Sequence, residues 1–259
     1  MKAVLGSMGK RPSKRLGQNF LLDDSVLERA VRAADLSAKD TVLEIGPGLG
    51  NLTEELLRTG AHVVAVEQDP EFCKFLERRF GDRIRLVRAD AVKAFLPEFN
   101  KVVSNLPYQI SSKITYRLLC RPFDLAVLMF QREFAMRMTA TAGSEEYGRL
   151  GMVVGFFCHA EILETIPRSA FRPVPEVNSA IVRLRPRRER PLVDSRIFMR
   201  LVSGLFAHRR KKVKKALAAM GVSKESMAGL DARLLEKRPE ELAPDEAAGL
   251  AREAFPGIR

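Results

Sequence analysis

Cysteine and histidine are both scarce in this chain of 259 residues, at three each, and neither type clusters. Cys73, Cys120 and Cys158 lie far apart, form no CxxC pair and have no histidine at ligand spacing, so neither a zinc site nor a disulfide framework is indicated. A reducing, cytoplasmic setting is expected. His62, His159 and His208 are equally scattered, which leaves no histidine- or cysteine-centred catalytic arrangement. Long apolar runs are missing too: none reaches the roughly 18 residues that a membrane span requires. The first 15 residues are basic without the apolar core of a secretory signal, and read as a flexible arm over 1–13. Internal repeats and low-complexity tracts are absent.

What is present describes a folded, cationic protein. A hydrophobic fraction of 46% and this length suit one large domain plus a small one. Forty-four Lys and Arg against 32 Asp and Glu give a formal charge of +12. Such an excess fits a polyanionic partner, because cations that neutralise phosphates release condensed counterions.

Periodicity and turn residues predict an alternating order. Asp24 or Ser25 caps a first helix to about residue 34. Strands follow at 41–45, 62–66, 84–88 and 101–104, with helices at 51–59 and 70–80 between them; Asn51 and Glu54 have capping-box spacing, and Gly60 is a stop. Further helices are expected at 111–119 and 131–138, strands at 125–130, 162–166 and 179–184, and a loop at 143–149. Residues 151–157 are apolar without clear period, so helix and strand both remain open there. The stretch 185–191, rich in Arg and Pro, resembles a linker. Beyond it, 197–206, 213–220 and 244–255 suggest helices. The expected fold is α/β, a doubly wound, Rossmann-like domain over 1–187 followed by a small helical domain over 188–259.

Three motifs fall at strand ends of this order. The loop Gly46-Pro47-Gly48-Leu49-Gly50 follows the first strand of the alternation, where glycines let the backbone approach a ligand closely. Glu67, at the tip of the second strand, suits both ribose hydroxyls, and Asp90, after the third, suits an adenine amino group. The short GxGxG spacing favours S-adenosylmethionine over a nicotinamide cofactor. The fourth strand ends in Asn105-Leu106-Pro107-Tyr108. An aryl amine is a poor nucleophile, so an enzyme must hold its N–H bonds: the Asn105 side-chain oxygen and a carbonyl beside rigid Pro107 are suited to that. The Tyr108 ring can stack on a base drawn into a pocket. Positioning then carries the catalysis, and the surplus proton leaves to water. Read locally, the same tetrapeptide is also an ordinary strand end with a proline turn.

These residues, with Lys14 to Leu21 (KRLGQNFL) and Phe171 to Ser179 (FRPVPEVNS), resemble the KsgA-type small-subunit rRNA adenine dimethyltransferases over about residues 10–190. The resemblance implies that Asn19 and Leu21, with Gln18 close by, help hold S-adenosylmethionine together with Gly46, Gly48, Glu67, Asp90 and Asn105. It also implies that Asn105 and the Pro107 carbonyl receive the target amine while Tyr108 and Phe171 stack on the base; locally, Phe171 reads equally as a buried anchor. The implied activity is N6-dimethylation of two adjacent adenosines near the end of small-subunit rRNA, on a pre-30S-type particle; nothing in the sequence demands more than a monomer. Two rivals stand beside it: the large-subunit rRNA methyltransferases of antibiotic resistance, which share the glycine loop and the asparagine motif but from which the FxPxPxVxS stretch and the helical C-terminal region lead away, and a non-enzymatic assembly factor on the same fold, which a degenerate cofactor loop would favour. The run Arg209-Arg210-Lys211-Lys212-Val213-Lys214-Lys215, expected to open a helix, suits RNA phosphates.

Overall fold

The computed structural model describes residues 6 and 19–255. They begin with a two-residue strand, β1 (Phe20–Leu21), and helix α1 (Asp24–Ala33). Asp23, not Asp24 or Ser25, is the cap: its backbone is extended, and its carboxylate accepts from the Ser25 N–H at 3.1 Å. The alternation follows as β2 (Thr41–Ile45), α2 (Asn51–Arg58), β3 (His62–Glu67), α3 (Pro70–Phe80), β4 (Ile84–Arg88), β5 (Lys101–Asn105), α4 (Ser111–Leu119), β6 (Leu125–Gln131) and α5 (Arg132–Thr139). Next come α6 (Arg149–Phe157), β7 (Cys158–Ile166), β8 (Phe171–Arg172) and β9 (Ser179–Pro186).

Seven strands form one sheet in the order β4-β3-β2-β5-β6-β9-β7. The first five are parallel, and β9 runs antiparallel to β6. Val42, Leu43, Val102, Val103, Leu128 and Met129 are all at most 1% exposed. Such unbroken apolar strands are what a parallel sheet covered on both faces demands. This is the Rossmann-like core expected from the sequence.

From β2 the chain winds through β3 to β4, whereas β5 winds the other way through β6, so the switch point falls between β2 and β5. There the paired register covers only Val42 with Lys101 and Leu43 with Val102. Farther along, the Ile45 N–H turns to the buried Ser104 hydroxyl, at 2.7 Å, instead of a backbone carbonyl. The C-terminal ends of the two strands, at Ile45 and Asn105, both line a crevice.

The capping box expected at Asn51 and Glu54 does not form. Gly50, left-handed at φ 78°, occupies the cap without a side-chain bond, and Asn51 instead donates to the Leu21 carbonyl at 3.1 Å. That bond ties α2 to β1, which itself pairs antiparallel with β8, Phe20 opposite Arg172 and Leu21 opposite Phe171. Two segments that are 150 residues apart in the family motif are thus hydrogen-bonded to each other.

By packing, the described residues divide into two units: 19–135 with Glu161–Arg185, and Met136–Ala160 with 186–255. In this division residues 136–160 group with the later helices, whereas the expected boundary at 187/188 places them before it. Those helices are α7 (Ser195–Ala207), α8 (Val213–Ala219), α9 (Lys224–Ala228), α10 (Ala232–Glu236) and α11 (Pro244–Ala254). Helix α6 lacks amphipathic period because it is covered on all sides; Gly151, Met152, Val153, Val154, Phe156 and Phe157 are all buried. Phe156 stacks on Phe198 at 4.0 Å between ring centroids, and the buried Tyr147 hydroxyl donates to the Leu242 carbonyl at 3.0 Å. Arg187, in the stretch that resembles a linker, makes a bidentate pair with Asp245 at 2.6 and 2.8 Å, so part of that stretch is fixed structure. The basic run does not open a helix as expected: Arg209 and Arg210 lie in a turn, Lys211 in a bend, and Lys212 is the extended cap of α8, which starts at Val213. Lys212 and Lys214 pair with Glu236, and Arg209 with Glu240.

Candidate functional site

The crevice at the switch point is a pocket whose walls come from four segments. The β1 entry supplies Asn19, Phe20 and Leu21; the glycine loop supplies Gly46, Pro47, Gly48 and Leu49; the tips of β3 and β4 supply Glu67 and Asp90; and β5 supplies Asn105 to Tyr108. Every predicted site residue among those described lies here except Phe171. Gln18 lies outside the described residues.

The glycines are required by close approach as well as by backbone angle. Gly48 has φ 57°, and a Cβ there would sit 2.9 Å from the Phe20 ring. At Gly46, φ 71°, a Cβ would press on the Pro107 ring at 3.3 Å. The loop is therefore held flat between β1 and the Asn105 motif. Phe20 in turn meets Phe72 edge-on, with centroids 5.9 Å apart, and roofs this side of the pocket.

Glu67 is 6% exposed, and its carboxylate is fixed by three backbone donors. The Gln68 and Asp69 N–H groups reach one oxygen at 2.9 Å each, and the Gly48 N–H reaches the other at 3.2 Å. Burial raises its pKa, and these three donors oppose the rise. Of the roughly four acceptor positions on a carboxylate, these three donors leave capacity for one more, and the Gly48 contact is the longest of the three.

Glu44, to which sequence reasoning gave no role, also lines the pocket. It is 2% exposed and receives the Thr53 hydroxyl at 2.6 Å. Burial pushes its carboxyl up to about 8; the Thr53 bond opposes this and neighbouring Glu67 adds to it. An acid inside the otherwise apolar strand Thr-Val-Leu-Glu-Ile was the available signal. Phe20, Leu49 and Phe72 were missed as well, because apolar pocket walls look like any core.

Asp90 follows β4, and one of its oxygens accepts from the Val92 N–H at 2.8 Å. Asn105 donates its amide nitrogen to the Asn19 carbonyl at 3.2 Å, which leaves Oδ1 as its acceptor. The Pro107 carbonyl accepts from the Ile110 N–H at 3.1 Å and keeps one lone pair. Tyr108 is half-buried, and its hydroxyl meets the Ser179 hydroxyl at 2.5 Å, which restrains the ring on the pocket wall. Burial raises its pKa, with the Ser179 bond opposing.

Phe171 is elsewhere. It is fully buried in the core with Leu21, Val26, Val127 and Ile181, so the expectation that it stacks on a base is corrected in favour of the anchor reading. Its strand, β8, pairs with β1, and an aromatic ring beneath that pairing holds the segment that carries Asn19 to Leu21.

A match to the family described as ribosomal RNA adenine dimethylase covers residues 9–247. The chain belongs to that family. Among its relatives, proteins of Methanosarcina mazei and Thermococcus gammatolerans, each named "Probable ribosomal RNA small subunit methyltransferase A", are 44% and 45% identical to it; the alignments cover 92% and 94% of this chain and 91% and 90% of theirs. A dimethyladenosine transferase of Plasmodium falciparum superposes with a TM-score of 0.80 at 28% identity, over 92% of this chain and 97% of that one. The 23S rRNA methyltransferase ErmE gives 0.68, also at 28% identity, over 91% and 99%.

Members of this family are methyltransferases that use S-adenosylmethionine, and the pocket's residues fit that molecule. A flat glycine cradle admits close approach of the ligand, and Glu67 offers an acceptor to hydroxyls. When bound, S-adenosylmethionine supplies an electrophilic methyl group. Among the described residues, no His, Cys, Asp and Glu group could hold a metal ion, and no helix is long and apolar enough to cross a membrane.

Proposed function

We propose that this protein dimethylates the N6 amino groups of two adjacent adenosines in small-subunit rRNA, acting as a monomer on a precursor of the small ribosomal subunit in the cytoplasm. The observation that carries the reading is the position of Asn105 to Tyr108 on the wall of the same pocket as the glycine loop and Glu67.

Each wall has a separate task. Glu67 holds ribose hydroxyls, Asp90 an adenine amino group, and Asn19, Leu21, Gly46 and Gly48 enclose the rest of the cofactor. Asn105 Oδ1 and the open lone pair of Pro107 accept the two N–H bonds of the target amine, so the nitrogen lone pair faces the cofactor. Tyr108, braced by Ser179, stacks on the extruded base. After methyl transfer the proton leaves to water, so the site needs no general base. Arg210, Lys211 and Lys215 of the basic run supply phosphate contacts. The small-subunit target is preferred to the large-subunit one because the relatives named for the small subunit are 44–45% identical, against 28% for ErmE.

The test is to incubate the protein with S-adenosylmethionine and undermethylated small subunits, then map modified nucleotides by mass spectrometry. Two neighbouring N6-dimethyladenosines are expected. Modification confined to large-subunit rRNA, or none, would reject the reading.

A further inference from the structure

A second cavity, about 320 Å³ in volume, is lined by Arg132, Glu133, Arg168, Glu176, Val177 and Asn178. Arg132 directly follows the C-terminal end of β6, three positions beyond Met129, which pairs with Asn105. Arg168 opens the 3-10 turn after β7. Both are anchored by their backbones to one residue: the Arg132 N–H donates to the Asn178 carbonyl at 2.9 Å, and the Arg168 N–H to the Asn178 side-chain oxygen at 3.1 Å. The next residue, Ser179, braces Tyr108.

The two guanidiniums differ from their neighbours in having nothing to hold. Arg29 pairs with Glu164 and Arg183 with Glu161; Arg172 folds back on the Ser169 and Phe171 carbonyls. Among the described residues, neither the Arg132 nor the Arg168 side chain has an ion-pair or hydrogen-bond partner. Yet they share the cavity with Glu133 and Glu176, so the lining combines donors for an anion with acceptors for a hydroxyl. A free phosphate would meet repulsion from the two carboxylates. A phosphodiester carries one charge, and its ribose 2′-hydroxyl can donate to a carboxylate.

We propose that this cavity seats the sugar-phosphate of the nucleotide adjoining the target adenosine, with Arg132 and Arg168 on the non-bridging oxygens and Glu133 or Glu176 on the 2′-hydroxyl. The inference rests on the RNA reading above and extends it to the flanking nucleotide. By gripping the backbone one residue from the Tyr108 brace, the cavity helps keep the adenosine out of its stack.

The test uses the Arg132→Met/Arg168→Met double variant and its Lys/Lys counterpart, with a single-stranded RNA carrying two adjacent adenosines as the binding probe. Losing one phosphate contact lowers the slope of log affinity against log salt by about 0.7 for a single strand. The Met variant should bind RNA roughly tenfold more weakly at low salt and show that smaller slope, with cofactor affinity unchanged; the Lys variant should keep the slope. On undermethylated small subunits, KM should rise more than kcat falls. Wild-type affinity and salt slope in the Met variant would overturn the cavity's role. Because binding is read without methyl transfer, a wild-type protein that fails to methylate small subunits overturns the proposed function instead.

Discussion

The two ends of strand β5 each carry an asparagine, and they do opposite things. At the N-terminal edge of the sheet, Asn100 accepts the Thr41 N–H at 2.8 Å and donates to Asp40 at 2.8 Å and Asp124 at 3.0 Å, so it binds together the starts of β2, β5 and β6. Asp40 there also receives both the N–H and the hydroxyl of Ser37, at 2.7 and 2.9 Å, and the Lys101 ammonium at 3.3 Å. Burial acts to raise its pKa, but the Asn100, Ser37 and Lys101 bonds outweigh it and hold the carboxyl down at about 2. Five residues later, Asn105 makes one bond and keeps its oxygen for a ligand, beside two acids that burial pushes up. One edge is saturated with internal partners, and the other is left incomplete. Polar groups left with capacity in a buried pocket are where binding is to be sought.

Exchanging the two asparagines for alanine should separate these roles most sharply. Asn105→Ala should lower methyl transfer on the order of 10³-fold while leaving the denaturant midpoint nearly unchanged. Asn100→Ala should do the reverse, costing roughly 2–4 kcal/mol by stranding the Thr41 N–H and two carboxylates, with turnover per folded molecule retained. Equal loss of activity in both would dissolve the contrast.

A comparable division holds for the two aromatics assigned to stacking. Phe171→Ala should cost about 3–5 kcal/mol in chemical denaturation, as for a large buried ring. Tyr108→Ala should instead weaken capture of the base by about 1–3 kcal/mol, read as a rise in KM for RNA at constant cofactor affinity. If Phe171→Ala proved as stable as the wild type, its place in the core would be wrong.

Glu44 supplies a smaller, pH-dependent signature. Its folded-state pKa, about 8, lies above the ordinary 4.5, so the folded protein holds an extra proton between those values. Stability is favoured below pH 4.5, and this contribution falls away as pH rises to about 8. Glu44→Gln removes the titration, so its melting temperature relative to wild type should climb across that window. A constant difference would show that Glu44 is ionised throughout.

Much of this contrast could be read from residue order. The acids after β3 and β4 and the tetrapeptide after β5 point to one sheet edge, because parallel strands deliver their tips together. What escaped reading depends on contacts distant in sequence. The β1–β8 pairing is two residues long, too short for any period, and α6 has no period because it is covered all round. The cap of α1 falls at Asp23, one or two residues before the expected Asp24 or Ser25, because three neighbouring polar residues all suit the role. Asn51 was misread because its amide is drawn to Leu21, 30 residues away. Phe171 left both readings open, and only its packing decides between them.

The incomplete edge is built to hold the cofactor and the saturated edge to hold the fold. Calorimetric titration of S-adenosylmethionine into Glu67→Gln and Asp40→Asn, side by side with wild type, tests it most directly. Glu67→Gln should bind about 100-fold more weakly, because it loses a charged acceptor facing the pocket, and Asp40→Asn should bind as wild type does once folded. Undiminished binding by Glu67→Gln, or an equal loss in both variants, would contradict the account.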